Sequence, residues 1–478
     1  MQKTLAPERF DAVIIGAGMS GLAAGIRLAM FEQRVLILER HYLWGGLNSF
    51  YKREGRRLDV GLHALTNYVD PGRKGARKRP LGRVLKQLRI PYADLSLGEQ
   101  YGSAIQFPDT RLAFNNDFQL LESEIATHFP ADVDGLRRLV KDIESYPDLS
   151  QSGSPLGARE VLGSYIQTPL LIEMLLLPVC YYGSPTANDL SWAQFVVLFK
   201  SLYEEGFARP RGGVKTVLDA LRGRYLELGG ELRMRAGVSR IRHAGGRARG
   251  VVLDDGSEVE ADCILSSAGA VETASLCETP LFGDRDVQLG ELSFVESMSV
   301  LDRKCAELGH RDTIVFFNTE PELVYDVPNT PVDLRSGVVC CPDNYEGQSD
   351  PEGAVRLTLL ANPALWNGFT EQEYSQQKAR AFETGMEAIR PILGDSAPGV
   401  SAHTVFTDTF TPRTIEKFTG HPRGAVYGSA SKITSGTTAL SGLFLCGTDQ
   451  GYLGIVGAML SGIAMANQHA LATDGALR

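Results

Sequence analysis

The chain has 478 residues, 43% of them hydrophobic and 22% charged, which supplies material for about two to three domain-sized cores and excludes a disordered chain. A formal net charge of −9 argues against a nucleic-acid partner, since gripping a phosphate backbone needs a basic surface. Seven scattered cysteines, none at a zinc-like spacing, read as reduced thiols with no metal site. No run approaches the roughly 18 apolar residues of a membrane span, so a cytoplasmic protein is expected, with any membrane contact made from one face.

In chain order, Asp11 to Gly16 is a short apolar run ending in glycine, Met19 to Phe31 repeats small and apolar residues at helical spacing, and Arg34 to Glu39 is a second apolar run. Strand, helix and strand within about 30 residues make a βαβ unit, which builds parallel sheets. Gly16, Gly18 and Gly21 form G-x-G-x-x-G between the first strand and its helix. Gly16 suits the tight turn, Gly18 lets the backbone approach a pyrophosphate, and Gly21 lets helix and sheet pack closely. The helix N-terminus then offers unpaired N–H groups to the phosphates. Glu39, ending the second strand with Arg40 beside it, is placed to accept hydrogen bonds from the adenosine ribose.

Farther on, Arg73, Lys74, Arg77, Lys78, Arg79, Arg83, Lys86 and Arg89 fall in a stretch without Asp or Glu. It suits either a solvated helix face or contact with an anionic membrane. Leu170 to Tyr182 is apolar apart from Glu173 and is expected to be a buried core helix rather than a tunnel wall. Lys215 to Leu228 reads as an amphipathic helix. Gly237 to His243, Ala248 to Leu253 and Glu258 to Ser267 read as strands, with Asp255-Gly256 at a hairpin turn. Gly442 to Cys446 is a last strand, followed by Gly447-Thr448-Asp449 and a helix from about Ile455 to Leu471. A strand ending in Gly-x-Asp, then a helix opening at Gly454, Ile455 and Val456, resembles the arrangement by which flavoproteins hold a ribityl chain with the carboxylate and aim a helix N-terminus at the flavin ring. The dipole there stabilises negative charge on the reduced ring, which favours FAD over NAD. The expected fold is therefore α/β, a discontinuous Rossmann-type FAD-binding domain of residues 1–79, 208–286 and 412–478. Into it is inserted an α+β substrate-binding domain of residues 80–207 and 287–411, the part expected to touch any membrane.

Further blocks carry a specific likeness: Gly45-Gly46, Phe50, Gly55, Asp59-Val60-Gly61-Leu62-His63, Pro210-Arg211-Gly212-Gly213, Val238, Thr411-Pro412 and Gly424-Ala425-Val426-Tyr427-Gly428. In order and spacing they resemble the phytoene desaturase, carotenoid isomerase and retinol saturase family of FAD-dependent oxidoreductases. The likeness covers the nucleotide-binding segments well and the insertions poorly. It implies that Glu39 binds ribose, that Gly45 and Gly46 lie near the pyrophosphate or flavin, that Val238 meets adenine through its backbone, and that Gly447 and Asp449 meet the ribityl chain. It also implies a hydrophobic polyene substrate.

Where bacterial phytoene desaturases carry a His-Pro-Gly type motif, this chain has Asp449-Gln450-Gly451-Tyr452-Leu453-Gly454-Ile455-Val456-Gly457, which is more similar to retinol saturases. Desaturation, saturation and isomerisation all stay open, and so does the electron acceptor. A flavin amine oxidase and a non-catalytic FAD-containing binding protein stand as alternatives on the same fold. His63 and Tyr427 are the candidates for a catalytic proton-transfer group.

Overall fold

A computed structural model describes residues 7–61, 63–146, 156–283 and 287–472. Leu62 of the Asp59 to His63 block, residues 1–6, 284–286 and 473–478 of the expected cofactor-binding segments, and residues 147–155 of the first insertion lie outside the described residues.

The first strand, Glu8–Ile15, is apolar over Ala12 to Ile15, where it is buried between two parallel neighbours, Val35–Glu39 on one side and Glu258–Ser266 on the other. Glu231–Met234 extends the sheet beyond Val35–Glu39, and Leu443–Leu445 pairs in parallel with Glu258–Ser266. Arg247–Leu253 and Val238–Ala244 are added antiparallel, completing seven strands. One face is covered by three helices: Met19–Ala29, Val214–Glu227 and Gly454–Met465. Leu22, Ile26, Ile37, Leu221, Met459 and Ile463 form the core between them. The helix that follows the glycine turn thus packs against the last long helix of the chain.

A second seven-stranded sheet runs in the order Thr404–Phe410, Ser293–Leu301, Gly353–Ala361, Val332–Cys340, Ile314–Asn318, Ser103–Gln106, Arg111–Phe114. Alternate residues divide between its two faces, as the period of a strand requires. Val315, Phe317, Val339, Leu357 and Leu359 pack on Ile389, Leu393 and Val400. Phe294, Phe316, Val338 and Leu360 join the core formed with the helices Pro169–Gly183 and Trp192–Phe199.

The apolar Leu170 to Tyr182 run lies within Pro169–Gly183, and its residues from Leu171 to Tyr181 are buried. Glu173 is accommodated there because Arg159 donates both arms of its guanidinium to it, one at 3.0 Å, while the Leu323 N–H donates at 3.1 Å. The basic segment forms the helix Pro80–Leu88 and the turn before it. Leu81, Val84, Leu85 and Leu88 face the core, whereas all eight basic residues are exposed. Among the described residues, no helix is long and apolar enough to cross a membrane.

Candidate active site

A cavity of about 1360 Å³ extends from the carboxyl ends of the first sheet's parallel strands to one face of the second sheet. That is where open α/β sheets place their ligands.

Its outer part is built from backbone. Gly16 leaves the first strand at φ +98°, and a methyl group on Gly21 would overlap the Gly16 carbonyl oxygen. Gly18, the residue that caps the Met19–Ala29 helix, has extended backbone, and a Cβ there would find nothing within 4 Å. The space beside Gly18 belongs to the cavity. Gly45, at φ +116°, donates its N–H to the Ala17 carbonyl at 2.9 Å, bringing Gly46 over Gly18. Two side-chain-free loops therefore meet at a helix N-terminus that has no side-chain cap. This is the open cradle of amide donors that a pyrophosphate needs.

Glu39 sits at the end of its strand, buried, accepting hydrogen bonds from the Ala17 N–H at 2.8 Å and the His41 N–H at 2.9 Å. Those bonds fix a carboxylate on the cavity wall with lone pairs left for ribose hydroxyls. Arg40 is exposed at the rim near Gly420, and Val238 lines the same region with Ala236 and Gly237.

On the opposite side, the Asp449 carboxylate accepts the N–H groups of Ala270 at 2.7 Å and Ser429 at 2.8 Å, with Lys432 Nζ at 3.6 Å. Gly428 must be glycine at this approach, because a Cβ would overlap an Asp449 oxygen. Gly447 donates its N–H to Ser461 Oγ at 2.7 Å. Gly447, Asp449, Gly454 and Ile455 all line the cavity, the last two at the uncapped start of the Gly454–Met465 helix. Val456 points elsewhere, buried and lining a separate void of about 50 Å³ with Thr66, Tyr182 and Leu198.

The inner end is apolar and aromatic: Tyr181, Tyr182, Phe294, Val338, Val426 and Tyr427. His63 enters it from the loop after the Arg56–Asp59 strand, with Nε2 3.1 Å from Thr358 Oγ1 and 3.7 Å from Glu296 Oε1. Burial lowers the His63 pKa below its ordinary 6.5, although the Glu296 carboxylate works in the opposite direction. Burial alone would raise Glu296, but the Arg356 guanidinium and His63 outweigh it and hold the carboxyl at about 2. Tyr427 uses its O–H to donate to the Tyr181 carbonyl, and burial pushes its phenol above the usual range. The structure thus brings His63 and Tyr427 to one end of the cavity, with the cofactor-type residues along the rest.

Sequence reasoning missed Glu296 and Thr358. A lone glutamate inside the apolar run Ser293–Leu301, and a lone arginine, Arg356, inside Gly353–Ala361, were the available signals. Among the described residues, no group of three or more His, Cys, Asp or Glu could hold a metal ion.

A family model described as flavin containing amine oxidoreductase matches residues 19–468. Prolycopene isomerase of Arabidopsis thaliana is 23% identical, with 97% of this chain and 83% of that protein covered. Phytoene desaturase of Fusarium fujikuroi is 26% identical, with 88% and 81% covered. Among solved structures, an oxidoreductase from Methanosarcina mazei superposes with a TM-score of 0.66 at 19% identity, covering 96% of this chain and 100% of the other.

Proposed function

Because the chain belongs to the family of flavin containing amine oxidoreductases and is an FAD-dependent oxidoreductase, we propose that it acts on carbon–carbon bonds of a linear isoprenoid polyene. One observation carries this reading: the cavity's inner end is walled by Tyr181, Tyr182, Phe294, Val338 and Tyr427 and adjoins the helix N-terminus at Gly454. A chain of methylenes and methyls gains about 0.8 kcal/mol per carbon on entering such a space. The names of its relatives, an isomerase of prolycopene and a desaturase of phytoene, point the same way.

In this reading FAD, when bound, supplies the exchange of a hydride with a substrate carbon. Gly16, Gly18, Gly45, Gly46 and the Met19–Ala29 N-terminus hold the pyrophosphate, Glu39 holds the ribose, and the Val238 backbone meets adenine. Gly447 and Asp449 bound the ribityl chain, and Gly454 and Ile455 present amides toward the ring. His63 moves the proton. Tyr427, its hydroxyl committed to Tyr181, shapes the site. The exposed basic residues from Arg73 to Arg89, on Pro80–Leu88 and the segments flanking it, give a cytoplasmic protein a reversible hold on an anionic membrane, where a greasy substrate resides.

The test is anaerobic mixing of the oxidised and the reduced holoprotein with linear isoprenoids of graded length and with primary amines, followed by flavin absorbance and product analysis. Bleaching by polyenes identifies desaturation, reoxidation identifies saturation, and double-bond isomers without net redox change identify isomerisation. A response to amines alone overturns the polyene assignment.

A further inference from the structure

His63 is held at both ends. Its carbonyl accepts Arg209 Nη1 at 3.2 Å, and Arg209 is itself fixed by Asp59 Oδ2 at 2.5 Å. Its ring is gripped at Nε2 by residues of two adjacent strands. Glu296 and Thr358 are directly opposite in the antiparallel pair Ser293–Leu301 and Gly353–Ala361, and Met298 opposes Arg356. That register sets Thr358 beside Glu296 and brings Arg356 onto the carboxylate from one cross-strand position away. Arg356 donates both Nε and Nη2 to Glu296 Oε1 and gives a further bond to the Asp59 carbonyl at 3.2 Å. Among the described residues no hydrogen bond reaches Nδ1, while His63 lines the cavity.

We propose that Glu296, clamped by Arg356, is a positioning residue that fixes His63 as the Nε2–H tautomer, so that Nδ1 is the atom that exchanges a proton with substrate. A carboxylate 3.7 Å from Nε2 attracts an N–H and repels a lone pair, and the Thr358 hydroxyl 3.1 Å away, able to donate or accept, takes the acceptor role toward that hydrogen. The inference rests on the flavin-dependent polyene reading.

In the oxidative direction, the C–H bond next to the carbon that surrenders its hydride to FAD breaks. Its proton goes to Nδ1, its electron pair becomes the new π bond, and the ring becomes an imidazolium facing Glu296. In the reductive direction each of these transfers reverses. The charged groups around the ring are Glu296, Arg356, Arg209 and Asp59, with the Cys340 thiol against the His63 carbonyl. Glu296 favours the imidazolium, and the two arginines oppose it.

The test uses holoprotein labelled with ¹⁵N-histidine, the His63 signals being assigned by their loss in His63→Gln. Wild type should show the Nε2–H tautomer. Glu296→Gln should lose that preference and lower kcat at least about tenfold with little change in KM, since an orienting carboxylate acts through its histidine. Because Glu296 raises the His63 pKa, the acid limb of the oxidative rate profile should move to lower pH in Glu296→Gln, and Glu296→Asp should restore part of it. Removing Glu296 leaves Arg356 buried without its partner, so Thr358→Val, which keeps the ion pair, gives a second measure: weaker tautomer preference with FAD occupancy intact.

An Nδ1–H tautomer in wild type overturns the inference. So does a Glu296→Gln protein that keeps its FAD, its tautomer and its pH profile. The tautomer is read without substrate, so a correct tautomer alongside no response to any isoprenoid would overturn the polyene reading and, with it, the proton step, while leaving the positioning of His63 measured.

Discussion

At the scale of single residues, the cradle separates two kinds of glycine. Gly18→Val places its side chain in open cavity at a φ that any residue adopts, so the apo protein should melt within about 0.5 kcal/mol of wild type and yet bind no FAD. Differential scanning calorimetry with and without FAD checks both halves. Gly21→Val drives a side chain into the Gly16 carbonyl and should fail already in the apo protein. Glu39→Ala should weaken FAD about 10- to 150-fold, because charge-assisted hydrogen bonds contribute about 1.5 to 3 kcal/mol, a loss measurable by flavin fluorescence titration. The buried His63 and Glu296 also make acid unfolding steep. With its folded pKa below 6.5, His63 subtracts stability as pH falls from 6.5 toward that lower value, because the unfolded chain binds the proton first. Glu296 contributes its full stabilisation above 4.5 and loses it as pH falls toward about 2. Acid titration followed by tryptophan fluorescence should show His63→Gln losing the upper window and narrowing the lower one, since His63 helps Arg356 hold the Glu296 carboxyl down.

Among elements, legibility followed sequence distance. The strand, glycine turn, helix and second strand from Glu8 to Glu39 declare themselves because each feature is local: a φ only glycine tolerates, a helix start, a carboxylate at a strand end. The expected helix Lys215 to Leu228 is Val214–Glu227 in the structure, and the three strands around Asp255-Gly256 stand where their alternation put them. The second sheet was invisible as a sheet, since Ser103–Gln106 pairs with Ile314–Asn318 and nothing local in either strand names the other. Glu296 and Thr358 were lost for the same reason, as their meeting is a matter of register. The Pro80–Leu88 helix shows a different division: its leucines anchor it and its basic residues point outward. Arg73, Arg77 and Lys78, in the segment before that helix, are exposed too, so replacing them by Ser should leave melting and FAD content unchanged. Sedimentation with anionic liposomes should fall, each basic residue being worth about 1 kcal/mol near such a surface, and the remaining binding should weaken as salt shortens the Debye length to about 8 Å.

For the molecule as a whole, the site joins parts that are distant along the chain. The first strand lies at the centre of its sheet, and Leu443–Leu445 closes onto Glu258–Ser266 so that Asp449 can reach the N–H groups of Ala270 and Ser429. A ligand bridging such parts stabilises the folded state by mass action, about 2.7 kcal/mol at a hundredfold excess over Kd, so the melting temperature should climb with FAD concentration. The late arrival of that strand also has a consequence for biosynthesis. While the ribosome is still translating the second sheet, Glu39 and the glycine turn can already be made, but the wall formed by Gly447, Asp449 and the Gly454–Met465 helix does not yet exist. Nascent chains stalled before Leu443 should then capture no flavin, and the half-built α/β layer, with the Ile264–Ser266 end of its strand paired to Glu8–Ile15 but still lacking Leu443–Leu445, is the stage at which this protein is most exposed to aggregation and to chaperones.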